Sequence, residues 1–430
     1  MINSVLYNAN MQDVSVGFEN FDKFDPIFEN ATTYTNILVL HKSTDTRSMQ
    51  TWDLSKAYTA DISLEIMLEK QGTSDPIFSE DSFVIATSGQ TLIKKRIEEV
   101  GIPLKQWEIA ISRGIITGLN EAFIINGREK EELIALDSKS TEIIKPILRG
   151  RDVKRYKADF ADLWVIIAKF GSHHYLKEKY EAIYNHLLQH KASLEKRGQC
   201  RYTSSGRPNL TGEYPGQHHW LELDNNLRDD YLFEFMKEKI IYVEIVYDSA
   251  FFYDTKAYHP EATCFSITGE RLKYLTALLN STLLTYAFKT FYAGGDLRGN
   301  TFRYKKVFLE NLPIPKLSPA AQLPYECLVD CILFAHEKGL TSEASTLEWV
   351  INIMVYGLYF EAEMKKNYCY INDLVAEVVK PFKPEDTDAF KTEYVQKLSM
   401  FFLKDKDIYH GLIHSRNVRP VEIIHEARKK

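Results

Sequence analysis

The 430-residue sequence contains no Pro-Pro pair, no Cys-x-x-Cys and no apolar run near the roughly 20 residues that a membrane-spanning helix needs. The cysteine pattern excludes a zinc ribbon or finger. The five cysteines (Cys200, Cys264, Cys327, Cys331 and Cys369) show no ligand spacing. Cys327 and Cys331 stand one helical turn apart inside CLVDCILFA and read as buried thiols. An odd, unspaced set fits a reducing compartment. The start, MINSVLYNANMQD, lacks the basic and then apolar pattern of a secretory signal, so a cytoplasmic location is expected. Missing too are a phosphate loop G-x-x-x-x-G-K-[ST], a nucleophile elbow G-x-S-x-G and a G-x-G-x-x-G after a strand. The histidine pairs His173-His174 and His218-His219 are adjacent in sequence. Adjacent residues do not face one site on a regular element, so no metal site is expected.

What is present describes a folded body with local excesses of charge. Hydrophobic residues make up 45% and charged residues 26%, which rules out wholesale disorder. The 25 Tyr, 24 Phe and 5 Trp mostly supply core. The net charge is −6, yet IIKPILRGRDVKRY (143–156) holds Lys145, Arg149, Arg151, Lys154 and Arg155 against Asp152 alone, a local balance of 5 − 1 = +4. A solvated face is the plain reading of such a run, and a polyanion is the strong one. Gly150 lets the backbone turn between two arginines, and Tyr156 closes the run with a flat amphipathic ring. A second cluster, GGDLRGNTFRYKK (294–306), sets Arg298, Arg303, Lys305 and Lys306 against Asp296, a balance of 4 − 1 = +3.

The pattern of elements predicts an α+β fold: a partial α/β N-terminal segment, a mixed β-rich middle and a helical C-terminal region. TNILVLHK and DSFVIATS read as short strands, and Leu92–Val100 as a short helix. WEIAISRGI, EAFIING, DLWVIIAKF, ATCFSIT and the pair within KIIYVEIVYDSAFFYD read as further strands. HYLKEKYEAIYNHLLQHKASLEKR (174–197) has the spacing of one amphipathic helix. Residues 200–220 form a long Gly, Ser, Pro and Asn-rich loop, and such loops are more often functional than idle. GERLKYLTALLNSTLLTYAFKTFYA reads as a helix pair, LPIP stops the pattern, and helical periodicity dominates from Ser318.

The order of these motifs resembles a known family. ISRGIITGLNEAFII, then EIIKPILRGRDVKRY, DLWVIIA, WLEL, KIIYVEI, CFSIT, LKYLTALLNS and FLENLPIP follow one another as in the TaqI-like C-terminal specificity domain of type IIG restriction–modification enzymes and related adenine-specific DNA methyltransferases. The resemblance spans about Ile111–Lys316. FDPIFENATTYTNILVLHK resembles the last strands of the methyltransferase domain that precedes this module in the family. LEWVINIMVYGLYF is similar to its closing helix.

The resemblance implies three parts: a methyltransferase remnant over 1–100, a target-recognition domain over 101–316 and a helical region over 317–430. It implies S-adenosylmethionine, and possibly Mg, in the complete enzyme. The Asn-Pro-Pro-Tyr tetrapeptide that positions a flipped adenine has no counterpart here, so neither catalytic nor cofactor residues are expected in this chain. Partners would be double-stranded DNA and a separate methyltransferase or nuclease subunit, with no membrane. A truncated product and a separately encoded specificity subunit are both compatible with the sequence. The rival readings are an intact site-specific adenine methyltransferase or restriction enzyme with unrecognised motifs, and a protein–protein specificity subunit.

The expected DNA-contacting residues are Arg149, Arg151, Lys154 and Arg155, with Arg298, Arg303, Lys305 and Lys306 as a second strip. Thr117, Gly118 and Asn120 lie in the glycine turn, and Arg207 in the long loop is the expected base reader.

Overall fold

The computed structural model describes residues 86–429, apart from 226 and 294–300, together with the backbone of short strands at Val14–Phe21, Thr35–Lys42, Thr51–Asp53, Pro76–Phe78 and Phe83–Ile85. The expected strand at Thr35–Lys42 is there, paired antiparallel with Val14–Phe21. The greater part of the expected methyltransferase remnant, and Arg298, lie outside the described residues.

The α+β reading holds. Two four-stranded sheets organise the middle of the chain. The first runs Phe251–Asp254, Lys239–Val243, Cys264–Gly269, Ile109–Arg113 and is antiparallel throughout. The second runs His259–Pro260, Ile144–Leu148, Leu163–Ile166, Ile124–Asn126, with its first pair parallel and the others antiparallel. Ile240, Tyr242 and Ile267 of the first sheet are fully buried and merge into one core with the helices Leu272–Leu279, Pro319–Glu337 and Thr341–Tyr359. The second sheet has its own core around Phe123, Ile147, Val165 and Ile183. A small cluster, Leu148, Val153, Ile241 and Cys264, lies between them.

Local sequence explains the boundaries. Thr87 and Gln90 form a reciprocal capping box at the start of Ser88–Val100, as Asn126 and Glu129 do for Gly127–Leu136. Ser318 caps Pro319–Glu337, with proline at its first position. Gly339 follows that helix at φ +72°, while the Leu340 N–H reaches the Ala335 carbonyl at 2.8 Å, a glycine-ended helix stop. The first proline of LPIP lies in a two-residue pairing of Pro313–Ile314 with Ile102–Pro103, and the second follows it.

The structure departs from the sequence reading in specific places. The single helix expected over 174–197 is three short ones, Leu176–Lys179, Glu181–Gln189 and Lys191–Leu194. The first break is at Tyr180, whose backbone leaves the helical region so that its ring enters the core and its hydroxyl donates to Glu142 at 2.6 Å. EAFIING is half helix, Asn120–Phe123, before its three-residue strand. Tyr156 does not close the basic run at the surface. It is 2% exposed, in the left-handed region at φ 57°, with its hydroxyl directed at the Ala277 carbonyl.

Candidate nucleic-acid interface

The first basic run is built as a carboxylate-centred turn. Asp152 is buried and accepts two parallel bonds from Arg149, Nε to Oδ2 at 2.9 Å and a terminal nitrogen to Oδ1 at 2.9 Å, plus the Arg149 backbone N–H at 3.0 Å. Burial opposes ionisation of Asp152, but these bonds outweigh it and hold the carboxyl below the usual range. Gly150 is needed for close approach rather than for a left-handed turn. A Cβ there would meet Thr263 Oγ1 at 2.9 Å and Val243 Cγ1 at 3.2 Å.

That turn sorts the cations of the run. Arg149 is committed to Asp152. Arg155 reaches Asp248 at 2.9 Å and Glu348 at 4.0 Å and donates to the Ser249 carbonyl at 3.4 Å. Lys145, on the strand Ile144–Leu148, is half-buried. Arg151 and Lys154 are exposed, and the Lys154 ammonium donates to the Arg151 carbonyl at 2.7 Å.

The two basic segments do meet. The Gly150 N–H donates to Thr263 Oγ1 at 3.1 Å, the Thr263 carbonyl accepts from Glu244 N at 3.1 Å, and the Glu244 carbonyl accepts from Tyr304 N at 2.8 Å. Tyr304 stands between Arg303 and Lys305. On the other side, Ser249, which takes the Arg155 bond, holds the Tyr304 hydroxyl at 2.6 Å. Arg303 is part of a two-residue strand paired with Ile245–Val246, and its Nε is buried without a hydrogen-bond partner. Lys305 is exposed. Lys306 donates to the Ile111 carbonyl at 3.2 Å and faces Glu310 at 3.6 Å.

Sequence reasoning missed Arg113. It ends the strand Ile109–Arg113, is exposed, and leans on the Ala262 carbonyl at 3.4 Å, one residue from Thr263. Its signal was a cation at a strand end, too common to single out. Arg113 and the Gly150 turn thus bond the loop Glu261–Thr263 directly, and the segment Arg303–Lys306 joins it through Glu244. Exposed Ile245 and Tyr247 lie on the connecting segment.

The glycine turn has an architectural basis. Thr117 is 3% exposed and its hydroxyl is held by Asn120. Gly118 has φ +71°, and a Cβ there would strike the Asp224 carboxylate at 2.3 Å. Arg197, buried, binds the carbonyls of Thr117, Trp220 and Glu222 and the Asp224 carboxylate, each at 2.8–2.9 Å. It locks the turn onto WLELD. Gly118 and Asn120 themselves are exposed.

The long loop is anchored at its base and open at its tip. The Gln217 and His218 N–H groups both reach the Gln199 carbonyl, at 2.7 and 3.0 Å. Thr203 bonds the Arg207 carbonyl through its N–H at 2.9 Å and its hydroxyl at 2.7 Å, and Gly206 turns the tip at φ +75°. Arg207 is exposed, and its side chain has no hydrogen bond or ion pair among the described residues. The histidine pairs, expected to point apart, instead gather: His173 packs against His174 with ring centres 3.9 Å apart and stacks on His219 at 4.6 Å. Tight turns at Ser172–His174 and before Trp220 bend the chain back on itself, which the rule for regular elements does not cover.

Comparison with known proteins gives a family match and structural likenesses. Residues 145–314 match the TaqI-like C-terminal specificity domain. The match ends close to the expected boundary but begins later, leaving the glycine turn outside it. No curated protein matches the chain. Among solved structures, the chain is similar to the type IIL restriction–modification enzyme MmeI, solved in complex with DNA, at 11% identity and a TM-score of 0.43, over 93% of this chain and 48% of that one. It is also similar to the type IIG restriction endonuclease BpuSI at 13% identity and a TM-score of 0.33, over 84% and 45%. The chain spans about half the length of both.

Proposed function

We propose that this chain, which carries a TaqI-like C-terminal specificity domain over residues 145–314, is a sequence-specific duplex-DNA recognition module of a type IIG-like restriction–modification system. It positions DNA for N6-adenine methylation or cleavage by catalytic parts other than the described residues. The observation that carries the reading is the joining of two cationic segments around Glu261–Thr263 inside the matched domain. On an acidic chain, exposed Arg113, Arg151, Lys154 and Lys305 concentrate positive charge where a phosphate backbone can lie. Arg207, at the tip of a pinned loop, is the side chain best placed to enter a groove.

In this proposal the three-part division assigns distinct tasks: remnant over 1–100, recognition over 101–316, and helices over 317–430 that stiffen the module and dock a methyltransferase or nuclease subunit. S-adenosylmethionine binds the catalytic part, so calorimetry with this chain alone should show no heat of binding. Micromolar binding would instead favour an intact methyltransferase. DNA recognition is tested by selecting bound duplexes from a randomised pool. Enrichment of one motif supports the proposal, and recovery of the unselected pool overturns it.

A further inference from the structure

The His173 cluster has a different chemistry from the cationic rim. The His173 side chain is 6% exposed. Its Nδ1 meets Glu222 Oε1 at 2.5 Å, and the Glu222 side chain is fully buried, accepting also the N–H groups of Gly171 at 2.6 Å and His219 at 3.2 Å. A carboxylate with that many donors only accepts, so the His173 proton sits on Nδ1. In the neutral ring this tautomer puts the lone pair on Nε2. That nitrogen has no hydrogen-bond partner, yet it faces Glu213 Oε1 at 3.4 Å. His174 Nδ1 lies 3.9 Å from the same oxygen. Two imidazole nitrogens and a carboxylate oxygen therefore lie within 4.8 Å of one another.

A neutral Nε2 facing a carboxylate is repulsive, and either a proton on that nitrogen or a metal cation between the two removes the repulsion. We propose that His173 Nε2, His174 Nδ1 and Glu213 Oε1 bind one divalent transition-metal ion of the zinc class. Tetrahedral bonds of about 2.0–2.1 Å place ligand atoms roughly 3.3 Å apart, close to the 3.4 Å separation seen and within a small side-chain movement of 3.9 Å. Glu222 supplies the carboxylate behind the ligating histidine that fixes its tautomer and orientation. Imidazole with carboxylate suits zinc rather than calcium or magnesium. The fourth ligand is solvent, since His174 and Glu213 are 62% and 61% exposed.

The ion has a structural consequence. Glu213 belongs to the long loop, whose other fastening is at Gln199. A bond from Glu213 to His173 and His174 pins the side of the loop opposite the Arg207 tip. The inference is independent of DNA recognition.

The test is titration of the untagged full chain with Zn2+ by calorimetry and with Co2+ by visible absorption. One tight equivalent is expected, with the intense visible band of four-coordinate Co2+. His174→Ala and Glu213→Gln, both at exposed side chains, should each weaken it at least tenfold with an unchanged circular dichroism spectrum. The histidine pairs His186/His190 and His410/His414, with ring centres 5.4 and 4.4 Å apart, are the competing sites. A His410→Ala/His414→Ala variant should therefore keep the tight equivalent. Chymotrypsin cleavage after Leu210, an exposed side chain in the same loop, should slow with Zn2+ in the parent and not in Glu213→Gln. Absence of a stoichiometric site, or binding undiminished in His174→Ala and Glu213→Gln, overturns the proposal; it would leave His173 as an imidazolium between two carboxylates. Binding without protection at Leu210 overturns the loop clamp.

Discussion

Arg149 forks onto Asp152, and the same carboxylate also takes the Arg149 backbone N–H. The most conspicuous arginine of the basic run thus shapes the turn that presents Arg151. Arg149→Ala leaves a buried carboxylate without its partner and should cost about 3 kcal/mol, the low end for breaking such a pair, because Arg149 keeps some exposure. Urea denaturation of the parent and variant measures it. A loss of DNA affinity in this variant with unchanged stability would contradict the assignment.

The same pair sets an acid response. Asp152 is held below its ordinary value in the folded chain, so its contribution to stability is fully present above the unfolded-state carboxyl range and is lost as pH falls through the lower folded value. Thermal unfolding of the parent should therefore steepen in its pH dependence below about pH 4. Asp152→Asn should be less stable at pH 7 and show a flatter acid limb. Parallel limbs would refute the coupling.

Arg155 joins Asp248, which Arg428 of the last helix also reaches at 3.0 Å. This links the basic run to the C-terminal helices. Arg155→Ala should lower stability by about 1 kcal/mol and leave the salt dependence of DNA binding unchanged. A reduced salt slope would instead place Arg155 on phosphate.

Lys239 and Asp254 are both fully buried and 2.6 Å apart in neighbouring strands, with Lys239 also donating to the Phe235 carbonyl at 2.7 Å. Lys239→Met strands the Asp254 charge and should destabilise by about 3–5 kcal/mol. A thermal shift of only a degree or two in differential scanning calorimetry would show that the pair is dispensable.

Arg207→Ala should relax discrimination between DNA sequences by about 1–3 kcal/mol at one base pair, with little effect on binding to unselected duplex. A uniform loss across all sequences would make Arg207 a phosphate contact.

What was legible in the sequence followed from local rules. Alternation and turn residues located the strands around Ile240 and Ile267, and helical periodicity located the helices after Ser318, because each carries its own signal. Charge excess singles out Arg151, Lys154 and Lys305 as cations, and the structure leaves them exposed. Side-chain destinations were not legible. Whether an arginine faces solvent or a carboxylate depends on packing across the chain, as with Arg149 on Asp152 and Arg155 on Asp248. Tyr156 reads in sequence only as the flat ring that closes the run, because its burial depends on residues as far along the chain as Ala277. The histidine cluster was invisible because sharp turns brought together pairs that a helix or strand would have kept apart.

The central claim is that the exposed cations around Glu261–Thr263 hold a DNA backbone. The most direct measurement is the slope of log affinity against log salt for duplex binding by the parent and by Arg151→Ala/Lys154→Ala/Lys305→Ala. The parent should bind with a steep negative slope, and the triple variant should lose about one unit of slope per phosphate contact removed, with unchanged unfolding. Equal slopes for the two proteins, or no binding by the parent at low salt, would contradict it.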